Sequence, residues 1–267
     1  MRRRAAAGLA ALCALAALPA LPAWAAATAR AAAPPRACPA GTVYLTLDTG
    51  NMRHAELIAD ILRRHEVRAT FFLANEKTDQ GGWSLDDSWI PYWRRLLAEG
   101  HAFGSHTWDH VYFRSVLPDG RIGVRPQFGP QAGRSLQWDA AAVCAEIDRV
   151  DARFREITGQ PLQRWWRAPG GRAPEAALAA ARRCGWAHVH WAPAGFLGDE
   201  LPSDRYPNQR LLQQALAGIR GNDILIAHLG IWSRQDPYAP MLDPLIAGLK
   251  ARGLCFATLR EHPSFKP

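Results

Sequence analysis

The 267 residues of this chain include no C-x2-C pair, which excludes the paired-cysteine spacing of a structural zinc site. No nucleic-acid-binding motif is present, although Lys and Arg outnumber Asp and Glu by 32 to 24. The net charge of +8 therefore points to an anionic envelope or an acidic polymer as the surface met, not to nucleic acid. No internal repeat is visible, and the length suits one sizeable α/β core.

A long apolar stretch does occur at the N-terminus. There, MRRRAAAGLAALCALAALPALPAWAAA combines three arginines, an Ala/Leu run and the small-residue site Ala23-Trp24-Ala25. A basic start, an apolar centre and an A-x-A site form a secretory signal peptide over residues 1–25. Cleavage is expected after Ala25 or two residues later. An uncleaved anchor is the alternative, and Pro19 and Pro22, which interrupt the run, weigh against it. The mature chain is then expected in the bacterial periplasm or secreted, with no stable membrane span. Losing residues 1–25 removes three arginines and no acidic residue, which lowers the net charge from +8 to +5. Residues 26–37 (AATARAAAPPRA) form an Ala/Pro-rich linker, and the catalytic domain is expected over 38–267.

Four cysteines remain: Cys38, Cys144, Cys184 and Cys255. An even number in an exported chain suggests two disulfides, with three connectivities open. Cys38 precedes the first apparent strand and Cys255 lies in the last, so closing a barrel favours Cys38 with Cys255. Cys144 and Cys184 are then left to pair from neighbouring helices.

Beyond the linker, short β-branched runs alternate with helical patterns. TVYLTL (42–47), ATFFLA (69–74), HAFGSH (101–106), WAHVHWAPA (186–194), DILIAH (223–228) and LCFATL (254–259) read as strands. Helical spacing covers 55–67, 89–100, 141–159, 173–185, 208–221 and 241–253. This alternation predicts an α/β fold, a distorted (β/α) barrel of parallel strands. Asp48, the pair His106 and His110, Arg167 and His228 all fall just past a strand end, where barrels gather their catalytic groups. Singly, each has an ordinary reading. HTWDH suits a solvated helix turn, Asp48 a turn before Gly50, Arg167 a surface ion pair and His228 a satisfied core histidine. Their delivery to one face outweighs these readings.

These residues resemble the polysaccharide deacetylase (NodB-like) family of metal-dependent carbohydrate esterases, in the family's motif order from about residue 42 to 260. TLDTG (46–50) stands at its TFDDG motif, HTWDH (106–110) at H-[ST]-x-x-H, RAPGG (167–171) at R-x-P-aromatic-G, and IAH (226–228) at L-x-H. The resemblance implies Asp48 as general base, His228 as general acid and Arg167 as the residue that steadies the base. His106 and His110 match metal ligands for a divalent ion, zinc first, with cobalt or nickel as alternatives. Gly170 supplies the oxyanion N–H in that scheme, and Ile226 lines the acetyl-methyl pocket.

The chemistry needs these residue types independently of the family. Amide hydrolysis requires an activated water, a stabilised oxyanion and a protonated leaving amine. A cation held by neutral imidazoles polarises the carbonyl and acidifies water. Two His residues four apart would share one helical face.

Three departures from the family pattern stand out. The second aspartate, a metal ligand, is Thr49; the aromatic after the motif proline is Gly170; and the D-x-x-D-W segment is reduced to HWAPAGFLGDEL (190–201). There Asp199 is the candidate partner for Arg167, and Trp191 is a candidate pocket wall. Two insertions, 77–89 and 111–138, should rim the active face. Trp83, Trp89, Trp108, Tyr112 and Phe113 supply aromatic surface there. The expected activity is removal of N- or O-acetyl groups from an amino-sugar polysaccharide, peptidoglycan or exopolysaccharide. The rivals are another amide or ester substrate, or a non-catalytic carbohydrate-binding protein on the same fold.

Overall fold

β1 (Thr42–Asp48) is buried along all but its first position, as a central parallel strand with both faces covered must be. This computed structural model describes residues 38–265; the expected signal peptide and linker lie outside the described residues. The chain continues through α1 (Ala55–Arg64), β2 (Thr70–Leu73), α2 (Ile90–Ala98) and β3 (Ala102–Ser105). β4 (Tyr112–Val116), β5 (Ile122–Arg125) and β6 (Leu136–Trp138) follow, then α3 (Ala140–Thr158), β7 (Trp165–Trp166), α4 (Glu175–Arg183) and β8 (Ala187–His188). α5 (Asn208–Gly218), β9 (Ile224–His228), α6 (Leu242–Ala251) and β10 (Cys255–Phe256) complete it.

Parallel pairing runs β10-β1-β2-β3-β7-β8, and β9 pairs with β1 over Tyr44–Asp48. The ring closes irregularly past β8. Ala192 N donates to Ile224 O at 3.0 Å, and Phe196 makes a parallel bridge to Ile226. The outcome is the expected distorted (β/α) barrel. The expected strand 186–194 is cut to two residues, Ala187–His188, and Pro193 opens a 3-10 turn a few residues on. Helices pack outside through apolar stripes: α1 buries Ala55, Ile58, Ala59, Ile61 and Leu62 at helical spacing. α3 starts at Asp139, whose side chain accepts from Ala142 N, and ends at Gly159 in a left-handed conformation.

Both favoured disulfides are present, Cys38–Cys255 and Cys144–Cys184. The first ties the lead into β1 to β10, and the second joins α3 to the end of α4. The insertion 111–138, expected as a rim loop, is the separate antiparallel sheet β4-β5-β6. Two of the expected surface aromatics are core instead. Phe113 packs edge-on to Trp166, and Trp89 packs against Tyr92. No helix among the described residues is long and apolar enough to cross a membrane.

Candidate active site

The carboxyl ends of β1, β2, β3, β7 and β9 converge on a cavity of about 420 Å³. Asp48, His106, His110, Gly170 and His228 line it, with Trp191 and Ile226 farther along the wall. In register, Asp48 sits opposite Phe72 of β2 and opposite His228 of β9. Parallel pairing thus sets two of the expected site residues on adjacent strands at one level.

Arg167 is wholly buried, and each of its three guanidinium nitrogens donates a hydrogen bond. It donates to Asp48 Oδ1 at 2.7 Å, Thr46 Oγ1 at 2.8 Å and Val189 O at 3.3 Å. Phe72 lies 4.2 Å and Trp191 5.6 Å from the guanidinium carbon, measured to ring centres. Burial would raise the Asp48 carboxyl; Arg167, with His106 and His228, outweighs it and holds the group below the usual carboxylate value. Asp48 is therefore a buried anion held in one orientation.

The expected partner of Arg167, Asp199, serves another residue. Asp199 accepts from His228 N at 2.7 Å and from His228 Nδ1 at 3.1 Å. Burial would push the imidazole down, but this carboxylate prevails and raises it to about 10. His228 is thus held as a cation through neutral pH, with Nε2 as the nitrogen left to give a proton.

HTWDH is not a helix turn. Thr107 and His110 take positive φ of 64° and 48°, and this tight turn, not a helical face, sets the two rings 4.9 Å apart. Glu146 of α3 fastens the turn: Trp108 N donates to its backbone oxygen at 3.3 Å and Asp109 N to its Oε1 at 2.6 Å. Thr107 Oγ1 accepts from Val111 N at 2.8 Å.

The histidines suit a cation on geometric grounds. His106 Nδ1 lies 3.0 Å from Arg167 O, and a carbonyl only accepts, so Nδ1 carries the hydrogen. Burial, the largest influence, pulls the ring down to about 4, so Nε2 presents a lone pair. That lone pair faces Asp48 Oδ2 at 3.4 Å. Two acceptors so close are reconciled by a positive charge shared between them. His110 Nδ1 is buried without a hydrogen-bond partner, a second unsatisfied donor atom at the same place. No three of the described His, Cys, Asp and Glu residues are gathered tightly enough to enclose an ion, so these side chains would have to close around one.

Glu76 was not anticipated from the sequence. It follows β2, is 5% exposed and lines the same cavity. Its Oε1 accepts from Thr49 Oγ1 at 2.5 Å and Gly50 N at 2.8 Å. A charged residue three positions past the buried strand TFFL, on the rim that carries Asp48, was the available signal.

The glycines of RAPGG make room for other aromatics. A Cβ on Gly170 would stand 3.1 Å from the Tyr112 ring, and one on Gly171 only 2.5 Å from that of Trp191. Tyr112 comes from the inserted sheet, so the insertion covers the position where the family pattern carries its own aromatic. Trp232, 58% exposed, adds an aromatic face on the cavity wall; it lies in no motif and gave no sequence signal.

A parallel barrel whose strand ends gather a buried carboxylate–arginine pair, two imidazoles and a carboxylate-backed histidine has the arrangement of a hydrolase site. Comparison with known proteins agrees. Residues 36–189, more than half of the chain, match the polysaccharide deacetylase family model, and the chain belongs to that family of hydrolases, which act on carbon–nitrogen bonds other than peptide bonds. It is 26% identical over 224 residues to the peptidoglycan-N-acetylmuramic acid deacetylase of Bacillus subtilis, covering 82% of this chain and 70% of that protein. It is 29% identical over 223 residues to a chitooligosaccharide deacetylase of a Bradyrhizobium species, covering 79% and 86%. The family 4 acetyl xylan esterase of Clostridium thermocellum, solved with a cobalt ion, has a similar fold. The TM-score is 0.63 at 20% identity, over 84% of this chain and 90% of the other.

Proposed function

We propose that this protein is an exported, metal-dependent deacetylase that removes N- or O-acetyl groups from an amino-sugar polysaccharide, peptidoglycan or an exopolysaccharide. The observation that carries the reading is the placement on one cavity, side by side at the ends of β1 and β9, of Asp48, anionic on Arg167, and His228, cationic on Asp199. A base and an acid held in opposite protonation states are what hydrolysis of an acetamide needs. His106 and His110 would hold a divalent ion, zinc first and cobalt or nickel next; the chemistry it supplies when bound is Lewis acidity, which polarises a carbonyl and acidifies water. The chain's own residues do the rest. Asp48 takes the proton of the attacking water, and Arg167 fixes the carboxylate's orientation. The N–H of Gly170 faces the developing oxyanion. Ile226 packs the acetyl methyl group, while Trp191 and Tyr112 border the sugar. His228 gives its Nε2 proton to the departing nitrogen or oxygen.

The relatives named above act, by their names, on peptidoglycan and on chitooligosaccharides, which supports acetylated amino sugars as the substrate class. Export rests on the signal peptide over 1–25, and the two disulfides agree with an oxidising compartment. Thr49 favours a second reading, a non-catalytic glycan binder, because a site short of a carboxylate can lose its metal. The deciding assay measures acetate released from chitooligosaccharides and from peptidoglycan, with zinc or cobalt added. Release that vanishes in Asp48→Asn, with the circular dichroism spectrum unchanged, supports the deacetylase. Binding of these glycans without any acetate release would overturn it in favour of the binder.

A further inference from the structure

Glu76 is a carboxylate in an unusual position. It is 5% exposed on a cavity wall and forms no ion pair with any described Lys, Arg or His side chain. Burying a carboxylate without a counter-charge is unfavourable by several kcal/mol. Two neutral N–H or O–H donors on Oε1 offset part of that, yet both act on the same oxygen, and Oε2 accepts no hydrogen bond among the described residues. His106 and His110 line the same wall, with one buried ring nitrogen lacking a partner and another facing an acceptor. The local charge is therefore short of one cation, and the donor set of two imidazoles and a carboxylate is of the kind that binds zinc. Thr49 connects the arrangement: its hydroxyl accepts from Ala74 N at 3.1 Å and donates to Glu76. Position 49 thus holds a carboxylate that arrives from the neighbouring strand instead of carrying one.

We propose that Glu76 is the third protein ligand of the divalent cation bound by His106 and His110, taking over the carboxylate that Thr49 lacks, with Thr49 and Gly50 as the groups that position it. This rests on the metal-dependent reading above. Ion binding must draw the Glu76 carboxylate inward, since the groups are not yet gathered around one point. The bland alternative is that Glu76 only fastens the turn at Thr49-Gly50. A glutamine, with the same shape and a carbonyl oxygen on the same two donors, would serve that role equally well.

The experiment measures zinc affinity by chelator competition, and the visible absorption of added cobalt, on the mature protein. Four variants are compared with it: Glu76→Gln, Thr49→Asp, Thr49→Asp/Glu76→Gln, and His106→Ala/His110→Ala. Thermal melts confirm that each is folded. The expected result is one ion per chain, weakened about 100-fold or more in Glu76→Gln. Affinity should be regained in Thr49→Asp/Glu76→Gln, where an aspartate stands beside the histidines, and lost in the double alanine variant. Wild-type affinity in Glu76→Gln overturns the assignment of Glu76 while leaving the metal site itself standing. No ion in the wild-type protein, even with zinc in excess, overturns the metal-dependent reading and this inference with it.

Discussion

At Thr107 a β-branched residue holds a left-handed backbone, and His110 does the same three residues on. Such positions cost roughly 1–3 kcal/mol each and persist where surrounding contacts over-determine them. Nothing in the letters HTWDH announces this. The spacing suggested a helix, and tertiary hydrogen bonds decide for the turn: Trp108 N and Asp109 N donate to Glu146, Asn75 N donates to Trp108 O, and Gln127 N and Phe128 N donate to Asp109 O. Asp48, Arg167 and His228 were legible because each follows a recognisable strand; the partner of His228 was not, since pairing between Asp199 and a given cation depends on where two loops meet. Two outcomes follow at this scale. His228 must keep its proton to act as acid, and Asp199 is what holds it at about 10. Asp199→Asn should therefore move the alkaline limb of the kcat/KM–pH profile down toward the ordinary histidine range. An unmoved limb would remove His228 from the acid role. Arg167→Met should cost about 3–5 kcal/mol by leaving Asp48 buried without its counter-charge. Adding Asp48→Asn should return part of that loss in denaturant titrations, whereas simple addition of the two losses would show that the pair is not coupled.

Among the elements, α3 has two duties. It packs the barrel and carries Glu146, which is 6% exposed and accepts from Asp109 N. Burial is the main reason its carboxyl rises from 4.5 to about 7; the hydrogen bond from Asp109 N–H opposes it most, the Asp109 carboxylate adds to it and Arg149 opposes it. The sign follows from proton counting. Between the unfolded value and about 7 the folded chain holds a proton that the unfolded chain has released, so stability falls as pH rises through this window. The slope can reach about 1.4 kcal/mol per pH unit. Glu146→Gln keeps a carbonyl oxygen for Asp109 N–H and cannot ionise. Its urea stability should vary less than wild type between pH 5 and pH 8 and exceed it at the upper end; a constant difference between the two proteins would refute the assignment. The inserted sheet was missed at this same level, although the sequence held the sign. Leu117-Pro118-Asp119-Gly120 is a turn between β4 and β5, with Gly120 N donating to Leu117 O and Gly120 at φ 81°. An Asp-Gly pair between alternating runs is the ordinary signature of a hairpin. Compositional reading of 111–138 as loop passed over it because Gly and Pro are scattered throughout.

Across the whole molecule, the barrel is closed by different means at different points. β1 and β9 are joined by five registered residues, whereas β1 and β10 share two, and the seam between β8 and β9 is made by single bonds in 192–197. The weakly paired β10 is where a covalent tie is found. Cys38–Cys255 spans 217 residues and Cys144–Cys184 spans 40. Loop-closure entropy makes the longer tie the stronger, about 5 kcal/mol against about 4 kcal/mol in the simplest chain model. Position argues in the same direction. Cys144 and Cys184 join α3 and α4, which already pack on each other and bury Val143, Ile147, Ala177 and Ala180, so apolar contact remains when the bond is gone. Cys255 belongs to a two-residue strand, and loss of its bond leaves the edge beside β1 to fray. Cys38→Ser/Cys255→Ser should therefore lower the melting temperature more than Cys144→Ser/Cys184→Ser, and hydrogen exchange should quicken first at Cys255 and Phe256. Because Asp48 stands at the far end of β1 from Thr42, where β9 and β2 hold it, kcat at 25 °C should survive the loss of the longer tie. A collapse of kcat without unfolding would mean that the covalent edge, not the β1–β9 pairing, sets the geometry of the site.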